Sequence, residues 1–493
     1  MEQRPIQLYR PDQVAAMDRQ AIQRLGIPGL TLMERAGTRA YRTLRASWPE
    51  RRRMRVFCGT GNNGGDGYII AALAQLDGLD VEVLQLGDPA RLRGDAATAA
   101  NRYLDTGGRR SAFSGDVDTE DAILVDALFG TGLDRPVEGA WRDAILAMNA
   151  SPSPVFAVDI PSGLHGDTGA VLGVAVEAEA TMTFLALKRG LYTGAGPGHV
   201  GRLRFDDLDV PDAAAEGIEP AARRVAYEHV RGLLGPRRRT GHKGHYGHVL
   251  VIGGDHGMGG AVLLAGMSAL RAGAGLVSVA TRERHVGGLL AAQPELMVHG
   301  IEEPAGIEPL LARASVVLLG PGLGQSAWGR ALFAQALDSG KPLVLDADGL
   351  NLLNGTSTRR DDWVLTPHPG EAARLLGLPV TDVQADRFAV ADAIVKRYGG
   401  VVVLKGAGTV IAGAAAVPSV CAGGNPGLAT GGTGDVLAGL ITALRAQGIG
   451  SRQAAETGVC VHAEAGDRIA RARGERGLAA SDLPAMIRTL VNP

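Results

Sequence analysis

The sequence predicts an α/β protein of two tandem three-layer domains, each a mostly parallel sheet with helices on both faces. Three observations carry that expectation. Short β-branched runs alternate with helical stretches along both halves. A composition break near residue 215 separates the halves. Glycine is frequent, at 71 of 493 residues, while aromatic residues make only 4%. Cores of Ala, Val and Leu joined by many glycine turns are usual where strand-to-helix loops repeat. The length itself is too great for one compact core and suggests two to four domains.

In the first half, residues 55–58 read as a strand closed by a glycine loop, and 68–76 as the helix that follows. Strands are expected at 81–86, 123–126 and 155–159. Each is short, apolar and closed by Gly or Asp, the pattern of buried parallel strands. Together they predict a Rossmann-like doubly wound sheet with its sites at the carboxyl ends of the strands. Residues 210–224 carry no strand signal, which places the first domain at 1–215. The alternation restarts in a second domain, 223–493. Strands are expected at 248–254, 275–280, 316–319, 343–346, 364–366 and 401–404, and a helix at 434–446 behind a glycine-rich loop. No repeat of fixed period relates the halves.

Composition excludes several functions. Lys plus Arg is 50 against 52 Asp plus Glu, a net charge of −2. Nucleic-acid binders usually carry a basic excess or stripe, so no nucleic-acid partner is expected. Apolar residues at 45% and charged residues at 21% describe a globular chain and not a disordered one. Cys58, Cys421 and Cys460 are too scattered for a disulfide framework or a thiolate metal site. Residues 1–11 are polar and contain no apolar signal core. The most apolar stretch, 261–280, has Arg271 in its middle and three glycines, and reads as a core helix running into a strand. No membrane partner is expected, and the cytoplasm is the default address.

Three strand-end loops in the first half carry chemistry. Gly59-Thr60-Gly61-Asn62-Asn63-Gly64-Gly65-Asp66-Gly67 contains a literal G-x-G-x-x-G, the nucleotide-binding fingerprint. Asp66 would stand where a pyrophosphate should sit, and its charge opposes one. The residue either caps the helix or contacts a hydroxyl-rich ligand or cation. Val125-Asp126-Ala127-Leu128-Phe129-Gly130-Thr131-Gly132-Leu133-Asp134-Arg135-Pro136 and Asp159-Ile160-Pro161-Ser162-Gly163 have the same form. Asp and Gly close strands routinely. Three such loops at neighbouring strand ends nevertheless converge on one crevice in a parallel sheet, where Asn63, Asp126 and Ser162 offer oxygens to a cation.

In the second half, Asn425-Pro426-Gly427-Leu428-Ala429-Thr430-Gly431-Gly432-Thr433-Gly434-Asp435 leaves backbone N–H groups free at a helix N-terminus, an anion hole for a phosphoryl group. Asp435 either caps that helix or takes a proton from a hydroxyl beside the phosphoryl, and the glycine density favours the second role. Lys405-Gly406-Ala407-Gly408-Thr409 offers a cation, amides and a hydroxyl to nucleotide phosphates, although a plain turn would use the same glycines. Gly320-Pro321-Gly322-Leu323-Gly324 also follows a strand. Thr366-Pro367-His368-Pro369-Gly370-Glu371 holds a His and a Glu in a rigid turn. His242, His245 and His248 lie three apart without an acidic or thiolate neighbour, the pattern of a solvated loop more than of a metal site.

The motifs G-N-N-G-G-D-G, V-D-A-L-F-G-T-G and D-I-P-S-G, in that order, resemble the NAD(P)H-hydrate epimerase family over roughly the first 210 residues. The resemblance implies a hydrated nicotinamide nucleotide on Asn62, Asn63, Gly64, Gly65 and Asp66, on Gly130, Thr131, Gly132, Leu133, Asp134, Arg135 and Pro136, and on Asp159. It implies a potassium ion on Asn63, Asp126 and Ser162. Epimerisation needs a proton donor or acceptor at the hydrated ring carbon, and Asp159 is the candidate. The second half resembles the ribokinase-like NAD(P)H-hydrate dehydratases over roughly residues 223–490, through H-K-G-H-Y-G-H-V-L-V-I-G-G, G-P-G-L-G, D-A-D-G-L-N, T-P-H-P-G-E, V-L-K-G-A-G-T and N-P-G-L-A-T-G-G-T-G-D-V-L-A-G. That resemblance implies ADP on Lys405, Gly406, Ala407, Gly408, Thr409 and Gly434, and substrate on Ala261, Gly322, His368 and Asp435. Magnesium is implied by phosphoryl chemistry, because it shields the transferred charge.

The combined expectation is a bifunctional enzyme. One half interconverts the R and S forms of hydrated NADH and NADPH; the other dehydrates the S form with ADP, giving NAD(P)H, AMP and phosphate. A homo-oligomer is the expected assembly. The competing readings are a vitamin or sugar kinase with a regulatory front half, a dinucleotide oxidoreductase, and a non-catalytic nucleotide-binding scaffold.

Overall fold

Two compact units, Met1–Ala222 and Arg223–Pro493, divide the chain. The computed structural model describes residues 6–115, 117–414 and 416–492, so the first five residues of the polar N-terminal segment lie outside it.

In the first unit the strands β1 (Arg53–Cys58), β2 (Asp80–Gln85), β3 (Arg109–Ala112), β4 (Ala122–Ala127), β5 (Val155–Val158), β6 (Ala180–Phe184) and β7 (Arg202–Asp206) form one sheet. Its order is β3-β2-β1-β4-β5-β6-β7, and all pairs are parallel. The side-chain period of two sorts the core. Met54, Val56, Ile123 and Val125 join a cluster on one face, and Phe57, Ala122 and Leu124 join a cluster on the other. Both faces are thus covered, as parallel sheets require. The chain winds outward from β1 through β2 and β3, then returns to β4. That reversal opens a crevice beyond the carboxyl ends of β1 and β4, and the glycine loop and the Asp126 loop both lead into it.

Two expectations in this unit are corrected. The helix after β1 begins at Asn62 and not at residue 68. Its glycines are packing contacts as well as loop residues: a Cβ on Gly67 would lie 2.6 Å from the Ala127 Cβ and 2.8 Å from the Cys58 Sγ. The unit also runs past residue 215. Gln13 Nε2 donates to the Glu219 carbonyl at 2.7 Å, and Ala215 and Ile218 pack on Val14 and Met17 of the helix Pro11–Gln23.

In the second unit the strands are β8 (Ala222–Val225), β9 (His248–Ile252), β10 (Leu276–Thr281), β11 (Met297–Gly300), β12 (Val316–Leu319), β13 (Leu343–Leu345), β14 (Val364–Leu365), β15 (Val401–Leu404), β16 (Thr409–Gly413) and β17 (Ala416–Cys421). They lie in the order β8-β17-β16-β15-β14-β13-β12-β9-β10-β11. Only the β15–β16 and β16–β17 pairs are antiparallel. β8 starts inside the stretch read as strandless. It pairs with β17, with Arg223 opposite Ser419. The apolar stretch 261–280 is the helix Gly259–Arg271 followed by β10. Among the described residues, no helix is long and apolar enough to cross a membrane.

Candidate active sites

A cavity of about 920 Å³ occupies the crevice of the first unit, lined by Asn62, Asn63, Asp66, all of residues 130–136, Asp159, Lys188 and Asp18 among others. Gly64 and Gly65 are behind its wall. A Cβ on Gly64 would sit 2.1 Å from the Gly59 carbonyl oxygen, and one on Gly65 would sit 2.6 Å from Met33. These two glycines set how closely the helix approaches its neighbours.

Asp159 follows β5 in the left-handed region, at φ 67°, which costs a non-glycine residue energy and fixes the side chain's direction. Its Oδ1 accepts from the Lys188 ammonium at 2.5 Å, and more weakly from the Thr183 hydroxyl at 3.3 Å. Lys188 is 1% exposed and also donates to the Thr183 hydroxyl and the Phe184 carbonyl. Asp159 Oδ2 faces Gly130, 3.7 Å from where a Cβ would stand. Asp66 is not a helix cap. The N-cap is Gly61, which makes no side-chain capping bond. Burial, then the charges of Asp159 and Asp18, push the Asp66 carboxyl well above the usual range, against the pull of Lys188.

The three proposed cation ligands converge. The Ser162 hydroxyl donates to Asp126 Oδ1 at 2.6 Å, and its backbone N–H donates to Oδ2 at 2.7 Å. Asn63 Nδ2 donates to the Phe129 carbonyl at 2.9 Å, while Asn63 Oδ1 is buried without a partner. Asp126 is fully buried, and burial raises its carboxyl to about 6 despite the bonds from Ser162 and Leu128. An unsatisfied buried oxygen beside a buried carboxylate suits a hard cation on oxygen ligands.

The second site lies at the carboxyl ends of β12, β13 and β15. Asp346 follows β13 and is 2% exposed. Lys405 follows β15, with its ammonium 2.6 Å from Asp346 Oδ1 and 3.8 Å from Glu371 Oε2. Lys405 is therefore already paired with protein carboxylates, where the sequence reading gave it to phosphate alone. Burial works against its charge, but Asp346 and Glu371 outweigh burial and raise its pKa. Asp435 is the third residue of the helix Thr433–Ala446, whose N-cap is Gly432 at φ 90°. It makes no capping bond. Burial and the Asp346 and Glu371 charges raise it to about 7, opposed by Lys405. Gly434 is held close: its Cβ would lie 3.4 Å from the Lys405 ammonium.

The remaining expected residues divide. Residues 406–408 lie in the turn between antiparallel β15 and β16, and Thr409 opens β16, its hydroxyl donating to the Gly406 carbonyl at 3.0 Å. Gly406 rests on the buried Arg387, whose guanidinium donates to the Leu404 and Lys405 carbonyls. Gly322, at φ 58°, lies against Ala261; a Cβ there would be 3.4 Å from that of Ala261. Leu264, one helical turn on from Ala261, reaches Gly432, so Gly322 and Gly432 border one helix face. His368 caps the helix Pro369–Leu376, its Nδ1 accepting from the Gly370 and Glu371 N–H groups. The rings of His242 and His245 stack at 3.7 Å and His248 meets Ser278, and no metal cluster of His, Cys, Asp or Glu occurs among the described residues.

Sequence reasoning did not single out Lys188, Asp18 or Asp346, and it named Glu371 only as the acid of a rigid turn. Asp346 and Glu371 were within reach, because they stand inside D-A-D-G-L-N and T-P-H-P-G-E at strand ends. Lys188 stands beside Arg189 at the end of an apolar run, and only the fold brings it to Asp159.

Both units match known protein families. The NAD(P)H-hydrate dehydratase family matches residues 249–489, and the YjeF-related protein N-terminus family matches residues 29–190. The bifunctional NAD(P)H-hydrate repair enzyme of Coxiella burnetii is 46% identical, over 99% of both chains. That of Escherichia coli is 43% identical, over 99% of this chain and 95% of its own. Among solved structures, a ribokinase-like superfamily protein of Enterococcus faecalis is similar with a TM-score of 0.51 and 29% identity, over 55% of this chain and 96% of its own. The chain belongs to the bifunctional NAD(P)H-hydrate repair enzymes.

Proposed function

We propose that this chain repairs hydrated nicotinamide nucleotides by two reactions. The first unit interconverts the R and S forms of hydrated NADH and NADPH. The second dehydrates the S form with ADP, giving NAD(P)H, AMP and phosphate. The observation that carries the reading is Asp435, a carboxyl raised to about 7 at a glycine-built helix N-terminus beside Lys405. A base with a pKa near neutrality is suited to take the proton of the ring hydroxyl as that oxygen attacks the phosphoryl group. The N–H groups at the helix N-terminus receive the phosphoryl charge, and Lys405 adds a cation beside it. Departure of phosphate then restores the dihydronicotinamide. Magnesium would lie on the nucleotide's phosphates with one or two carboxylates, as is usual for that ion, and would shield the transferred charge.

Asn63, Asp126 and Ser162 would hold potassium, with the Asn63 Oδ1 completing its unmet bond. A vitamin or sugar kinase with a regulatory front half would leave the Asp159–Lys188 pair without a task. A homo-oligomer in the cytoplasm completes the reading. The test is absorbance at the reduced-nicotinamide band, with purified chain, ADP and mixed hydrate epimers. Complete conversion of both epimers is expected; conversion of the S form alone would remove the first activity, and none would remove the second.

A further inference from the structure

Resting on that reading of the first unit, we propose that Asp66 and Asp159 work as an acid–base pair across the cavity and that the substrate inverts by opening its ring. Adding water to the enamine of a dihydronicotinamide places the hydroxyl on the carbon bonded to the ring nitrogen, so the stereocentre is a hemiaminal. Inverting it requires a bond at that carbon to break and re-form from the other face.

Both carboxyls line the same 920 Å³ cavity. Among the described residues one buried ammonium, Lys188, touches one of them: it is 2.5 Å from Asp159 Oδ1, and no ion pair joins it to Asp66. The groups facing Asp66 are Asp18 from the helix Pro11–Gln23, the buried Cys58 thiol from β1, and Asp159 with Lys188 from the β5 side. Asp66 thus has two acidic neighbours and one cationic one. When like charges crowd a site with a single counter-charge, one group keeps the charge and its neighbour keeps a proton. Contact assigns the charge to Asp159. The proton falls to Asp66, whose burial and acidic neighbours favour the neutral form.

The chemistry balances with no further reactant. Asp159 takes the hydroxyl proton, and the freed electron pair forms the C=O bond. The C–N bond breaks, its electron pair moves to nitrogen, and Asp66 protonates that nitrogen. Rotation about the adjoining C–C bond presents the other face of the aldehyde. Nitrogen then attacks as Asp66 takes its proton back and Asp159 returns the other to oxygen. Lys188 is a positioning residue: it holds Asp159 Oδ1 and leaves Oδ2 toward Gly130 and the cavity.

The test follows one pure epimer by chromatography with full-length chain, across the neutral pH range, for wild type, Asp66→Asn and Asp66→Glu. The expected result is a bell-shaped profile for wild type and a fall of about 10²–10⁴-fold for Asp66→Asn with loss of the alkaline limb. Asp66→Glu should restore part of the rate and that limb, and ADP-dependent dehydration should be retained in both variants. Wild-type rate and profile in Asp66→Asn would overturn the pair. Substrate carrying ¹⁸O in the ring hydroxyl tests the route, because ring opening keeps the label through inversion. Loss of label with every inversion would show departure of water and overturn ring opening. A wild-type chain that leaves the pure epimer unchanged would remove the epimerase reading itself.

Discussion

The two units use a lysine at a strand-end carboxylate in opposite ways. In the first, Lys188 contacts the candidate base itself, at 2.5 Å from Asp159. In the second, Lys405 contacts a neighbour, at 2.6 Å from Asp346, and Asp435 is left with burial and two acidic neighbours that raise it to about 7. The difference shows that a lysine's placement decides which carboxyl has a cation in contact and which is left with burial and acidic neighbours. A base that must take a proton during phosphoryl transfer benefits from a pKa near neutrality. A base working opposite a second carboxyl benefits from a cation in contact, because the resting pair must hold one charge and one proton between them.

The largest expected effect breaks the second site alone. Asp435→Asn keeps the shape and removes the base, so dehydration should fall by about 10²–10⁴-fold. Epimerisation should persist, since its cavity is lined only by first-unit residues. Assaying both activities on one variant decides it; surviving dehydration would make Asp435 a structural residue, and loss of both in a folded chain would break the division of labour.

Next is Lys188→Met, which leaves Asp159 without its counter-charge. Removing one partner of a buried pair typically costs about 3–5 kcal/mol, so denaturant unfolding of the first unit should shift by that much and epimerisation should fail. The double variant Lys188→Met/Asp159→Asn should recover most of the stability and none of the activity. A double variant no more stable than the single would show that Lys188 acts through its other bonds, to Thr183 and Phe184.

Lys405→Ala should have a smaller effect with two separable parts. Loss of a charge-assisted phosphate contact costs roughly 1.5–3 kcal/mol, so the KM for ADP should rise about tenfold to a hundredfold. The same change removes the cation that lowers Asp435. With Asp435 as the base, dehydration should fall as pH drops through about 7 in wild type. In the variant that acid limb should move to higher pH. An unmoved limb would mean that Lys405 does not govern Asp435.

These expectations also show what sequence could and could not reveal. Asp126, Asp159 and Asp435 were legible because each lies at a strand end or opens a helix beside glycines, and topology carries such positions to the carboxyl edge of a sheet. Lys188 was not, because it meets Asp159 across 29 residues with no periodic signal between them. Edge strands were the least legible part of the fold. β3 reads Arg-Arg-Ser-Ala and is mostly exposed, so burial left no apolar imprint on it. The helix start at Asn62 was misread because glycines in the first turn look like loop, whereas here they let helix and strand touch.

The smallest expected effect concerns the cation in the first unit, and it sharpens the comparison because this carboxylate has no lysine. Asp126 is fully buried, and its bonds come from the Ser162 hydroxyl and backbone and from the Leu128 N–H. Those neutral donors leave it raised to about 6. A monovalent cation between Asp126, Ser162 and Asn63 would supply the missing charge and meet the unpartnered Asn63 Oδ1. Epimerisation should therefore be faster in potassium than in sodium buffer at equal ionic strength, because sodium is smaller and prefers a tighter cage. Ser162→Ala should cost about 1–3 kcal/mol of stability through the bonds it removes from a buried carboxylate, and should weaken the potassium response. Dehydration should be indifferent to the exchange of ions at this site. Equal epimerisation rates in the two buffers, with a Ser162→Ala variant of unchanged stability and rate, would make Asp126 a structural acid held by hydrogen bonds alone.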